Sequence, residues 1–104
     1  MTNRLGMANA IRPNVDTCYI VSFEISNTAT RLKFVESLKS FGTYCPINGS
    51  CWAIKTEKSA ADVVNQLKGP VAATDKIFVV RSGTAAAWIN ALSSDHSEWL
   101  KKNL

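Results

Sequence analysis

Cys18-Tyr-Ile-Val-Ser-Phe-Glu-Ile25 is the longest run of strand-forming residues in the chain, and its side chains alternate. Tyr19, Val21, Phe23 and Ile25 share one face, and Cys18, Ile20, Ser22 and Glu24 share the other. The first face is wholly apolar and is expected to meet helices. The second is mixed, the pattern of a sheet face that is half open or covered by another subunit. Ile20 and Ser22 are therefore expected interface residues. Glu24 is the one acid of this strand, and it sits at the strand end, a position open to chemistry or a metal and equally to a solvated acid or one paired with a lysine.

Downstream, Ser26-Asn27-Thr28 carries helix-start chemistry, since short oxygen-bearing side chains accept from the orphan amides of a first turn. Ala29 to Phe41 places Leu32, Val35, Leu38 and Phe41 at spacing three, with Phe34 in the same stripe, which predicts an amphipathic helix stopped by Gly42. Thr43 to Thr56 reads as a hairpin turning at Asn48-Gly49. A two-residue loop pairs Cys45 with Trp52 and puts Cys45, Ile47, Trp52 and Ile54 on the core face. In that register Cys45 and Cys51 point to opposite faces and form no disulfide. Pro46 donates nothing to a ladder, so Thr43–Ile47 is expected at an edge.

Ser59 to Lys68 is a second helix with Ala60, Val63, Val64 and Leu67 inward, ended by Gly69-Pro70. Asp75 to Arg81 reads as a short buried strand, expected at the sheet centre beside residues 18–25. Gly83 marks a turn. Ala85 to Ile89 favours either a helical turn or an edge strand. Ser94 or Asp95 is placed to cap a last helical turn, Ser97 to Asn103, presenting Trp99, Leu100 and Leu104.

The order is β–α–β–β–α–β, an α+β ferredoxin-like sandwich with two helices on one face of a four-stranded antiparallel sheet. Residues 1–17, with one candidate helical turn at Met7–Ile11 before Pro13, read as a flexible arm, and residues 18–104 as one domain with a C-terminal tail. The second sheet face would carry Ile20, Ser22, Glu24, Cys51 and Ala53. That is too apolar to be wholly wet, so the tail or a second copy is expected to cover it, and a symmetric homodimer is the physical expectation. Trp88 and Trp99 belong to a tail docking site or a subunit interface.

Length and composition set the outer bounds. The 104 residues, 46% hydrophobic and 19% charged, suit a single globular domain. The net charge of +4 permits an anionic partner. The cations are scattered, with only Lys101-Lys102 adjacent, whereas a nucleic-acid footprint is a clustered stripe. No apolar stretch approaches the ~18 residues of a membrane span. Three cysteines without an export signal point to a reducing, cytoplasmic setting. His96 is the sole histidine and reads as a capping or surface residue. The chain has no C-x-x-C spacing and no Gly-rich phosphate loop.

Tyr19-Ile-Val-Ser-Phe-Glu-Ile25, Lys76-Ile-Phe-Val-Val80 and Glu98-Trp-Leu-Lys-Lys-Asn-Leu104 resemble the first strand, the last core strand and the ending of small SinR-like proteins of the CRISPR adaptation small-subunit superfamily. The resemblance spans residues 18–104. It implies a ferredoxin-like homodimer in a defence or mobile-element setting. In the adaptation proteins the acid ending the first strand is paired across the dimer and linked to divalent metal and nuclease activity. That position matches Glu24, with Glu for the usual Asp and Phe23 for the usual Tyr.

Three readings follow. The first is a non-catalytic dimeric binding or scaffold protein, associated with nucleic acid or protein and needing no cofactor. The second is an endonuclease in which Glu24 of each chain is catalytic and holds Mg²⁺. The third is an immunity or antitoxin-like interaction module. One candidate acid per chain, Glu24, with no second carboxylate at metal spacing and no general base, favours the first.

Overall fold

A computed structural model describes residues 16–83 and 85–104. The expected arm lies outside the described residues as far as residue 15, and Thr17, assigned to it from sequence, already belongs to the first strand. The elements are β1 (Thr17–Glu24), α1 (Thr28–Lys39), β2 (Thr43–Asn48), β3 (Cys51–Thr56), α2 (Ala60–Leu67), β4 (Lys76–Arg81) and α3 (Ser94–Asn103). This is the ferredoxin-like βαββαβ order followed by one extra helix. No described helix is long and apolar enough to cross a membrane.

The sheet order is β2-β3-β1-β4, and every neighbouring pair is antiparallel. β1 is central, as its alternation requires. β4 is not central: it is an edge, and β3 takes the other inner place. The run Ile77-Phe-Val-Val80 reads as buried because it is continuously apolar, yet only Ile77 and Val79 pack on the core. Phe78 and Val80 point away from it, at 64% and 43% exposure.

The main core lies between the sheet and α1 and α2. Tyr19, Val21, Phe23 and Ile25 meet Phe34, Leu38, Phe41, Trp52, Ile54, Val63 and Leu67 there, all buried. Both helices start where short polar side chains take an orphan amide. Asn27 Oδ1 accepts from the Thr30 N–H at 2.9 Å, and Ser59 Oγ from the Asp62 N–H at 3.1 Å. Leu32 leaves the expected stripe and is exposed. The helix buries Phe34 and Leu38 at a spacing of four, with Phe41 buried just beyond its end, and Leu32, two positions before Phe34, lies about 200° away around the axis. Gly42 follows at φ 103°, a left-handed conformation that glycine adopts without steric cost.

The hairpin turns at Asn48-Gly49 but in another register. Cys45 faces Ala53 and Pro46 faces Trp52, whereas Asn48 faces Cys51, so Ile47 is an extra residue in β2. Pro46 has no N–H to give, and the ladder is broken next to it by this bulge. One residue of slip moves Cys45 off the helix-side core, and it shares the second face with Ala53 and Cys51. The expected opposition of Cys45 and Cys51 is thereby corrected, and all three cysteines are free.

Candidate functional site

The second face of the sheet is divided in two. Over β2, β3 and the start of β1, α3 sets Leu100 on Cys18, Cys45 and Ala53, with Ile20, Ile47, Trp88, Trp99 and Leu104 packed around them. α3 is longer than the sequence suggests, because its cap is Ser93, whose Oγ accepts from the His96 N–H at 3.2 Å. Ser93 Oγ also lies against His96 Nδ1, so the lone histidine serves the cap. Two tethers hold the helix down: Lys55 Nζ donates to Asn103 Oδ1 at 3.1 Å, and Trp88 Nε1 donates to Ser97 Oγ at 3.2 Å. Trp88 and Trp99 therefore belong to the docking of the tail on its own sheet. Ala85–Ile89 forms neither a helical turn nor a strand.

Among the described residues, no element packs over the other half of the face. Ser22 and Glu24 of β1 stand directly beside Phe78 and Lys76 of β4, and Ile20 stands beside Val80. Ser22, Glu24, Lys76, Phe78 and Val80 are all exposed, while Ile20 is half-buried under the edge of the α3 cluster. A shallow cleft of about 540 Å³ runs along this surface, lined by Ser22, Glu24, Ser50, Lys76 and Phe78 among others.

Glu24 is the last residue of β1, and its carboxylate lies 3.6 Å from Lys76 Nζ across the strand pair. Its side chain is 79% exposed and that of Lys76 is 75% exposed. An ion pair this wet is worth about 0–1 kcal/mol. Asp75 is next in sequence to Lys76, but its two oxygens take the Ala72 N–H at 2.9 Å and the Ser26 N–H at 3.4 Å, which closes the turn before β4. Among the described residues no three His, Cys, Asp or Glu side chains come together as a metal cage would require. Among the described residues, Lys76 is the one charged group that forms an ion pair with Glu24.

The thiols are likewise structural. Burial raises Cys18, Cys45 and Cys51 above the ordinary thiol value. The neighbouring Cys18 adds to the rise at Cys45, while Ser82 and Lys55 pull Cys18 part of the way back. Thiols held neutral in this way are poor nucleophiles.

Of the site residues expected from sequence, Ser22 and Glu24 reach the open half, Ile20 lies on its border, and Trp88 and Trp99 fall on the covered half. Sequence reasoning missed Phe78 and Val80, the largest apolar groups on the open half. Parity carried the signal: antiparallel neighbours share a face, and Phe78 and Val80 stand opposite Ser22 and Ile20. Comparison with family models, curated proteins and solved structures found no match for the chain.

Proposed function

We propose that this protein is a small dimeric binding or scaffold protein without catalytic chemistry. The observation that carries the reading is the half-covered sheet face: α3 shields one side, and Phe78 and Val80 stand exposed beside the outer edge of β4. An apolar patch at an unpaired sheet edge is an assembly surface, because burying it gains hydrophobic free energy and pairing it satisfies open backbone groups. Glu24 supports the same reading, since among the described residues its ion-pair partner is the solvated Lys76. The resemblance of residues 18–104 to SinR-like proteins of the CRISPR adaptation small-subunit superfamily agrees with a dimeric scaffold, placed with nucleic acid in a defence or mobile-element system.

The test uses the full chain with single- and double-stranded DNA and RNA, with Mg²⁺ or Mn²⁺, and compares wild type with Glu24→Gln. The expected result is a dimer by light scattering and no cleavage by either protein. Cleavage by wild type that disappears in Glu24→Gln would overturn the reading in favour of the metal-dependent nuclease.

A further inference from the structure

We infer that two copies of this chain join edge to edge through β4, antiparallel, with Phe78 of each on the two-fold axis. The inference rests on the dimeric reading above and gives it an interface and a register.

The backbone supplies the first argument. The Ser82 N–H bonds the Cys18 carbonyl at 2.9 Å, which makes Cys18–Ser82 a hydrogen-bonded pair. In an antiparallel ladder these pairs alternate. Ile20–Val80, Ser22–Phe78 and Glu24–Lys76 are therefore hydrogen-bonded too, and Lys76, Phe78 and Val80 spend their amides and carbonyls on β1. Ile77, Val79 and Arg81 turn theirs outward, and among the described residues no strand receives them. Outward groups on alternate residues are the template for another strand.

Side chains choose the strand and its register. With Phe78 opposite its own copy, Ile77 lies opposite Val79 of the second chain, and each such pair exchanges two backbone hydrogen bonds. Lys76 lies opposite Val80. Arg81 lies opposite Asp75, at both ends of the interface, so the register is complementary in charge. Asp75 is already fixed in place by the Ala72 and Ser26 amides. Sliding by two residues in either direction keeps the faces matched but sets Arg81 opposite Ile77, or Asp75 opposite Val79. Both slips break the Arg81–Asp75 pairing at the two ends of the interface. A two-fold normal to the sheet also puts both pairs of core-side helices on one side. The exposed Phe78 rings then meet at a non-hydrogen-bonded position, where side chains approach most closely.

Cross-linking tests the register. Opposed Cα atoms at a non-hydrogen-bonded pair lie about 4.5 Å apart, within disulfide range. Phe78→Cys is expected to form a covalent dimer under mild oxidation, while Val80→Cys, opposite Lys76, and wild type under the same conditions are not. Arg81→Asp, which sets two acids against each other, is expected to weaken the wild-type dimer at least tenfold. A wild-type chain that is monomeric by light scattering overturns both the inference and the dimeric reading. A wild-type dimer with no Phe78→Cys cross-link and no response to Arg81→Asp overturns the β4 interface alone.

Discussion

Leu100→Ala isolates what holds α3 on the sheet. Leu100 is the one fully buried residue of α3, at 2% exposure, and it rests on Cys18, Cys45 and Ala53. Leu→Ala in a packed site costs ~2–5 kcal/mol, with the spread set by how far the site collapses. Here the neighbours Trp88, Trp99 and Leu104 are only half-buried and sit at the rim, so collapse is easy and the lower part of that range applies. A loss of ~2–3 kcal/mol raises the opening equilibrium of α3 about 30- to 150-fold. Cys18 and Cys45 lie beneath the helix, whereas Cys51 is outside that cluster and serves as an internal reference. Labelling with a thiol reagent, resolved by mass spectrometry, should therefore accelerate at Cys18 and Cys45 by that factor and hardly at Cys51. Hydrogen exchange of the α3 amides should accelerate in parallel. An equal rise at all three thiols would mean that α3 opens only with global unfolding. Unchanged labelling would mean that the helix does not protect this face, and either outcome refutes the reasoning.

Other perturbations test separate links. Glu24→Gln should change stability by less than ~1 kcal/mol in urea melts, because the ion pair it breaks is exposed. Gly42→Ala should cost ~1–3 kcal/mol in the same melts, since φ 103° strains any residue with a Cβ. Ser59→Ala, which removes the α2 cap, should cost ~1 kcal/mol, and Ser59→Asp should retain most of the stability. Burial raises all three thiols above 9.0, so their contribution is complete below that pH and declines as the pH rises toward their folded values, where the unfolded chain ionises first. Urea midpoints should fall from about pH 8 to about pH 10, and less steeply in a chain with all three cysteines replaced by serine; equal slopes would remove the thiols as the cause.

Periodicity carried most of the fold into view. β1, α1, α2 and their caps are encoded locally, by alternation, by a helical stripe and by a polar residue just before each helix. What stayed hidden depended on partners distant in sequence. The place of β4 at the edge is set by which strand takes the other side of β1, and Ile77-Phe-Val-Val80 looks the same in either place. The hairpin slip arises from one extra residue at Ile47 beside a proline, which the Asn48-Gly49 turn signal does not report. Leu32 fell outside the stripe because spacing three alone drifts around a helix, whereas alternating three and four stays on one face. Glu24 was legible as an acid at a strand end, but its pairing with Lys76 required knowing that β4 lies beside β1.

The two-fold through Phe78 bears directly on Glu24. Lys76, the cross-strand neighbour of Glu24, lies two residues from the axis, so the two Glu24 positions are four residues apart along the strand direction. That is about 14 Å at 3.4 Å per residue. They are also three strand spacings apart across the joined sheet, again about 14 Å. Together these set the two Glu24 backbones about 20 Å from each other. Carboxylates that share one Mg²⁺ must bring oxygens within about 2.1 Å of a common ion, and two extended glutamates do not bridge such a gap. In this dimer the acids become two separate ion pairs with Lys76, one on each side of an apolar floor made by Phe78, Val80 and their copies. α3 sits over β2 and β3, away from the axis, so it leaves that floor uncovered between the two tail helices. The β4 interface and the shared-metal nuclease are therefore mutually exclusive: a Phe78→Cys cross-link would rule out the paired Glu24 site, and a metal held between two Glu24 carboxylates would rule out the β4 interface.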